Sequence, residues 1–370
     1  MFLALRDIRF SGGRFALMGG VVALITVLLV MLSGLTAGLA HQSTSAIGDL
    51  PAGRVVFGAP GNGTAKASYS DSEVSPSQAA AWSKDAGSTA IPLGISQGKL
   101  RSGKASGGAI SGAGSTADDA RTTNAAFFGS DTMDGKRLSP TDLSPGQTVL
   151  SESLATALDL APGGVLNSNG KDLTVKAVVP DEWYSHQAVA WVGLSDWQQM
   201  NRGRAATALV APGVDPAAAD RADRATGMVS VERNASFQAL ESFKSENGSL
   251  LLIQAFLYGI SALVVGAFLS IWTVQRTRDI AVLKALGATQ GYVLKDALAQ
   301  AVIVLLAGTV LGAAVGGVGG WFASQAAPFV LGPATIALPV VGIVLLGLAG
   351  SALAVRKATR VDPLLALGGS

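Results

Sequence analysis

Residues 249–274 read SLLLIQAFLYGISALVVGAFLSIWTV, and residues 275–289 that follow read QRTRDIAVLKALGAT. The break between them decides the fold. The first stretch has no Asp, Glu, Lys or Arg and exceeds the ~20 apolar residues that a helix needs to cross a bilayer. In the second, Arg276, Arg278, Asp279 and Lys284 restore charge. Ile280, Val282, Leu283 and Leu286 fall among them at helix-compatible spacing, and Gly287 offers a C-terminal stop. A short amphipathic helix between two spans must lie at a membrane face.

The rest of the chain repeats this contrast. Of its 370 residues, 49% are hydrophobic and 14% charged, whereas soluble domains average about 25% charged. Residues 15–40 carry no acidic or basic side chain, and after Asp296 none returns until Arg356. These runs predict a first span over 15–40, a second over 249–274, a third over 296–323 and a fourth over 337–355. Pro328, Pro333 and Pro339 mark a short connection between the last two. The first apolar run is longer than the ~7–15 residues of a signal-peptide core, so it reads as an uncleaved span. Its Ser33, Gly34, Ala37 and Gly38 form small-xxx-small patterns, and Gly308, Gly312, Gly316 and Gly320 form a ladder on the third span. Both suit close helix–helix contact.

The region 41–248 has a different composition, polar and rich in Gly, Ser, Ala and Asp. It reads as one inserted α+β domain. Strands are expected at 54–58, 91–96, 149–150, 173–179, 188–192, 209–211 and 228–232. Helices are expected from Pro76, from Glu152, and from Asp196 with Ser195 and Gln198 as a capping box. Asn234 is expected to cap a helix running through Phe237, Leu240 and Phe243 toward the second span. The Gly/Ser-rich stretch 102–115 reads as a loop. Residues 1–14, with Phe2, Leu3, Leu5, Ile8 and Phe10 among Arg6, Asp7 and Arg9, read as an interfacial amphipathic helix.

Basic residues set the topology. Arg6, Arg9 and Arg14 precede the first span, Arg276, Arg278 and Lys284 follow the second, and Arg356, Lys357 and Arg360 follow the fourth. The connection between the third and fourth has none. Four spans with both termini cytoplasmic satisfy every flank, and the inserted domain is then extracytoplasmic. The fold class is a membrane α-helical protein with four transmembrane helices and an inserted extracytoplasmic α+β domain. Segment 275–292 becomes a cytoplasmic docking helix and 356–370 a cytoplasmic tail, in a bacterial plasma membrane.

Catalytic chemistry is sparse. There is no Cys, which excludes thiol catalysis and Cys-ligated metals, and a net charge of +2 gives no case for nucleic acid. The stretch from Gly129 to Lys136 departs from a phosphate-binding loop by one extra residue, and Arg137 stands where Ser or Thr would meet magnesium. Gly94-Ile-Ser96-Gln-Gly98 matches the G-x-S-x-G pattern, but a Gly/Ser loop follows where a nucleophile elbow needs a helix. His41 and His186 are the two histidines, and their separation makes no metal site. Gln254 and Tyr258 share one face of the second span. A Tyr in lipid wants a protein or ligand partner. The thioether of Met31 suits ordinary packing or contact with an aromatic or metallated ligand. No intrinsic cofactor or metal, and no enzymatic activity, is expected.

The stretch 278–289 resembles the cytoplasmic loop of MacB/FtsX-type ABC transporter permeases. The tail 358–367, ATRVDPLLAL, is similar to that family's C-terminus, and 149–158, VLSESLATAL, to its recurrent strand–helix segment. The order of one span, outer domain and three spans fits throughout. The resemblance implies a homodimeric permease driven by two copies of a separate ATPase that binds ATP and magnesium. Arg278, Asp279, Lys284 and Gly287 would form its coupling helix.

Within the family, the Trp183–Trp191 segment resembles the HrtB-type haem exporters. That implies haem as the transported ligand, taken from the outer leaflet between the first and second spans. Met31, His41, Tyr184, Gln254 and Tyr258 would line its site. Tyr and Met are both known haem ligands. Export of peptide, antibiotic or lipid-linked molecules, or FtsX-like signalling to a cell-wall hydrolase, are the alternative classes.

Overall fold

A computed structural model describes residues 12–59, 64–103, 120–275 and 289–358. Its compact units are an inserted domain, Ala40–Glu246, and a helical unit formed by the chain before and after it. Both crossings between units lie inside helices, α1 (Gly12–Gly48) and α6 (Glu241–Gln275).

The inserted domain is built on a sheet of β1 (Arg54–Phe57), β2 (Ile91–Ser102), β3 (Thr122–Gly129), β4 (Gln147–Ser151), β5 (Val165–Ser168), β6 (Lys171–Val179), β7 (Trp183–Tyr184), β8 (Gln187–Val192), β9 (Ala208–Ala211) and β10 (Val229–Glu232). The order is β10-β1-β9-β2-β3-β8-β4-β6-β5, with β7 on β8. The far end of β2 also pairs with β5, Arg101 opposite Asn167 and Ser102 opposite Leu166. That second pairing curls β2, β3, β8, β4, β6 and β5 into a closed ring, which removes two open edges. β3–β8 and β4–β6 are parallel, and the other pairs antiparallel.

Both faces of the central strands are buried. Ala125 and Phe127 of β3 join Leu150, Leu154, Leu158 and Trp197 in one cluster, whereas Ala126 and Phe128 join Ile47, Val149, Tyr184 and Trp191 in another. A third cluster packs α2 (Pro76–Ala86) and α5 (Pro216–Thr226) against β1 and β9 around Trp82, whose indole donates to Asp223 at 2.8 Å.

Local signals act where they are self-contained. Ser75 caps α2, accepting from the Gln78 amide at 3.2 Å, while Gln78 Oε1 accepts from the Ser75 amide at 2.9 Å. α3 (Glu152–Leu158) starts at Glu152, as expected. Two helix starts differ. α4 spans Leu194–Met200, with Gly193 at its N-cap and no capping bond from Ser195. Its first amide, Leu194 N–H, donates instead to Asp131 Oδ1 at 2.9 Å, and Gln198 reaches Ala205 O at 2.8 Å. Nor does Asn234 cap a continuous helix. A 3-10 helix covers Ala235–Ala239, Leu240 is extended, and α6 begins at Glu241.

Trp197 of α4 explains a motif. Gly94 of β2 faces Gly129 of β3 in register. A Cβ at either would come within 2.3 Å of the Trp197 side chain. The paired glycines form a flat seat for the indole, and its Nε1 donates to Ser96 Oγ at 2.9 Å. The G-x-S-x-G stretch therefore lies inside a strand, and its serine is occupied by an indole.

In the helical unit, α1, α6, α7 (Gln290–Ala323) and α8 (Pro333–Ala358) are each long and apolar enough to cross a membrane. Pro339 lies inside α8 rather than before it. The glycine ladder of α7 packs on α1: a Cβ at Gly312 would lie 2.5 Å from Ala23 O and Thr26 Cβ, and one at Gly316 would lie 3.1 Å from Val30. Gly34 and Gly38 of α1 face a connection instead. A Cβ at Gly34 would strike the Phe329 ring at 2.1 Å, and one at Gly38 would strike Pro328 O at 2.0 Å. Val330 N–H donates to Gly34 O at 3.1 Å. Without a Cβ, a helix exposes its backbone to whatever approaches, and here that is the α7–α8 connection. The interfacial helix expected over 1–14 lies almost wholly outside the described residues. The core of the 102–115 loop and most of the 356–370 tail also lie outside them.

Gly312→Leu should therefore destabilise the helical unit by about 1–3 kcal/mol through overpacking. Gly317→Leu, with its nearest side-chain atom 3.9 Å away, should have a much smaller effect. Thermal unfolding of the purified protein in detergent distinguishes the two; equal losses would contradict the packing.

Candidate functional site

The segment Trp183–Gln187 forms a tight hairpin turn in the inserted domain. β7 and β8 pair Trp183 with Ala188 and Tyr184 with Gln187, leaving Ser185 and His186 as a two-residue hairpin loop. Their φ angles are 49° and 62°. Such a loop needs positive φ at both centres and favours Asn-Gly, so Ser and His here carry strain of order 1 kcal/mol or more each.

The strain is offset by bonds to two helices. The amides of Ser185 and His186 donate to Ser43 O and Gln42 O of α1, each at 3.0 Å. The Trp183 amide donates to Ser45 Oγ at 2.8 Å. His186 Nε2 lies 3.1 Å from Ser43 Oγ and 2.8 Å from Glu246 Oε2 of α6, and Ser185 Oγ lies 3.2 Å from Ser242 Oγ. An Nε2–H directed at the Glu246 carboxylate is the arrangement that avoids repulsion between lone pair and anion. One turn thus grips the ends of both helices by which the chain enters and leaves this domain.

Aromatic packing fixes the turn from behind. Tyr184 lies edge-on to Tyr69 at 6.1 Å and to Phe128 at 5.5 Å, and Phe128 packs on Trp191 at 5.2 Å. Burial pushes both tyrosine hydroxyls above their ordinary pKa, Tyr69 despite its bond to Ser236 at 2.9 Å. Trp191 Nε1 donates to Glu182 Oε2 at 2.5 Å. Desolvation raises the Glu182 pKa, the indole bond works against this, and Asp49 raises it further.

The residues singled out in the sequence divide between the two units. Tyr184 is buried in the domain core and borders a cavity, and His41 is exposed on α1. Met31, Gln254 and Tyr258 belong to the helical unit, and their described contacts go to three different helices. The Met31 sulfur lies 3.5 Å from where a Gly319 Cβ would be, on α7. Gln254 Nε2 donates to Thr36 Oγ1 of α1 at 3.2 Å. The Tyr258 ring covers Gly342 of α8, where a Cβ would meet it at 2.7 Å. Arg278, Asp279, Lys284 and Gly287 lie outside the described residues.

Sequence reasoning missed Ser43, Ser45, Glu182, Ser242 and Glu246. The polar run Ser43-Thr-Ser45 after an apolar span was the available signal, because serines at the end of a span have somewhere other than lipid to go. Among the described residues, no group of His, Asp and Glu has the arrangement of a metal site.

This arrangement, four apolar helices with a sheet domain inserted after the first, defines a polytopic membrane protein with an extracytoplasmic domain. Residues 15–225, more than half of the chain, match the MacB-like periplasmic core domain, and residues 249–363 match the FtsX-like permease C-terminal domain. The chain belongs to the MacB/FtsX family of ABC transporter permeases, and so works within a system that includes an ATPase. It is 23% identical over 377 residues to a protein of Staphylococcus haemolyticus named as the hemin transport system permease HrtB, covering 100% of this chain and 99% of that one. A Staphylococcus epidermidis protein of the same name is 27% identical over 60% of this chain and 63% of its own length. An uncharacterized ABC transporter permease of Mycobacterium bovis is 34% identical over 33% of this chain and 34% of its own. Among solved structures, the extracellular domain of the noncanonic ABC-type transporter YknZ from Gram-positive bacteria aligns with a TM-score of 0.31 and 13% identity, over 50% of this chain and 91% of that one.

Glu182 generates a pH prediction. Its folded pKa is raised, so its contribution to stability is full below the ordinary carboxylate range and is lost as pH rises through the raised value. Glu182→Gln should remove that decline, flattening the fall in melting temperature as pH rises above the ordinary carboxylate range. An unchanged slope in the variant would show that Glu182 is not its source.

Proposed function

We propose that this chain is the permease of a haem efflux system. Two copies form a homodimer in the plasma membrane with both termini cytoplasmic, served by two copies of an ATPase that carries ATP and magnesium. The permease itself hydrolyses nothing. The observation that carries this reading is the likeness over essentially the whole of both chains to the protein named as a hemin transport permease.

The physical chemistry of haem supports it. Haem is flat, apolar and membrane-seeking, with two carboxylates and an iron. A surface of first- and second-helix residues within the outer leaflet could receive it laterally, without an aqueous pore. α6 has an outward apolar surface that includes Leu252, Phe256, Ile260 and Leu263. Between two copies, such surfaces would enclose an apolar, planar ligand, with lipid on the remaining sides. Gln254 and Tyr258 interrupt α6 with polar groups, Met31 supplies a thioether on α1, and His41 and Tyr184 are the domain's contributions. We assign these five residues as the substrate contacts. Met31 and Tyr258 would have to leave their packing on Gly319 and Gly342 to reach a ligand, so capture involves movement of α1 or α6 against α7 and α8.

Hemin titration of the purified permease tests the assignment. The Soret band should shift saturably, and Tyr258→Ala combined with Met31→Ala should weaken binding about tenfold or more, the loss of 1.4 kcal/mol. A parent protein without a saturable shift would remove haem as the ligand, and an unchanged double variant would remove these residues as its site.

Coupling has its own test. We assign Arg278, Asp279, Lys284 and Gly287 to the dock for the ATPase. Lys284→Glu places a carboxylate where a cation meets the partner, and like-charge contacts are strongly unfavourable at an interface. Permease-stimulated ATP hydrolysis by the complex should fall severalfold or more; full stimulation would move the dock elsewhere.

A further inference from the structure

The inserted domain contains a cavity of about 400 Å³ beside the Ser185 turn and the first turn of α6. That volume falls within the range of small-molecule sites. Tyr69 and Tyr184 form one wall, Ile95 and Leu240 add apolar surface, and Arg204 and Glu241 are its two charged side chains.

The wall is rigid. Tyr69 packs edge-on against Phe57 at 4.9 Å and against Tyr184 at 6.1 Å, and Tyr184 is pinned in turn by Phe128. Tyr69 and Tyr184 are 4% and 6% exposed, so they offer a ligand a small, rigid edge that need not be ordered at the moment of binding. The two charges are not equivalent. Glu241 is exposed, and it lies in the first turn of α6, where the helix dipole favours a carboxylate. Its position is explained by the helix, and water solvates it.

Arg204 is half-buried, and among the described residues it forms no ion pair. Its side chain's one described bond is Nη2 to Ser72 O at 3.4 Å, long for an N–H···O bond. A guanidinium offers five donors in a planar fork that matches carboxylate and phosphate. Here nearly all of that capacity is uncommitted beside an aromatic wall.

We propose that this cavity is a binding site for a compact aromatic anion, its ring against Tyr69 and Tyr184 and its carboxylate or phosphate on Arg204. The site lies wholly within the inserted domain; it shares Tyr184 with the contacts proposed for haem, but it does not depend on that reading. It touches Ser185 and Ser242, the hydroxyls that meet where the turn grips α6. Occupancy would therefore be felt at that grip.

The full-length permease in lipid nanodiscs, titrated calorimetrically with 1-naphthyl phosphate, tests the site. The parent should bind saturably, and inorganic phosphate and 1-naphthol should each bind much more weakly, because each has half of the recognised chemistry. Arg204→Gln should weaken 1-naphthyl phosphate about tenfold or more, since a bond to a charged group is lost. Glu241→Gln, which removes the one carboxylate among the described lining residues, should tighten it. The opposite signs keep the test informative if Arg204→Gln folds poorly, because Glu241→Gln must still strengthen binding. No saturable binding by the parent would overturn the proposal. So would binding that 1-naphthol reproduces and neither substitution shifts, which would mark an apolar crevice only.

Discussion

The backbone amides of Ser185 and His186 donate to the carbonyls of Gln42 and Ser43, and much of the inserted domain is arranged around that contact. The donors sit on a hairpin loop with two consecutive residues at positive φ, a conformation that Ser and His do not choose alone. It persists because the surroundings over-determine it: amides on α1, imidazole and hydroxyl on α6, and a tyrosine locked between two aromatic rings behind. Moving either helix end would break several of these bonds together. Strain held by neighbours on two helices keeps the turn in one geometry within the inserted domain.

How much of this was legible in the sequence follows from how local each signal is. Long uncharged runs declare spans by composition alone. The capping box at Ser75 and Gln78 is complete within four residues, and it formed as written. α4 shows the opposite case. Ser195 and Gln198 have the right spacing for a capping box, but Asp131, far away in sequence, takes the helix start and Gln198 is drawn to Ala205. β3 was missed for a related reason. TTNAAFFG has neither alternation nor β-branched enrichment, because both of its faces are buried and each feeds a different core cluster. A central strand covered on both sides loses the period that reveals half-buried strands. The candidate site is less legible than the fold throughout. Tyr184 and His186 stood out as an unusual run, but Ser43, Ser242 and Glu246 acquire meaning only when the two helix ends are brought to the turn.

Small residues on the helices make the same point in the membrane. The Gly308–Gly320 ladder and the Ser33–Gly38 patterns look alike as strings, and both predict a close neighbour. On α7 the neighbour of Gly308, Gly312 and Gly316 is a helix, because three glycines at a spacing of four residues leave a strip long enough for α1 to lie along, while Gly320 beyond them meets Phe329. On α1 the strip is two glycines long, and Phe329 with the backbone of Pro328 and Val330 fills it. Length decides which element can use the gap, and the Val330–Gly34 hydrogen bond also satisfies a connection amide that would otherwise face the apolar helices.

The G-x-S-x-G stretch carries this argument to chemistry. An elbow serine is nucleophilic because a strand-to-helix turn lifts its hydroxyl clear and leaves it free for a base. Ser96 is in mid-strand, and its oxygen accepts from Trp197, whose ring is seated on Gly94 and on Gly129 across the ladder. The glycines are explained by the area of an indole and the serine by its N–H. The first glycine of the phosphate-loop-like run, Gly129, is the other half of that seat. Gly94 and Ser96 of one motif-like stretch and Gly129 of the other are thus accounted for by one tryptophan packed on a sheet. Membership of an ABC permease family implies a separate ATPase partner.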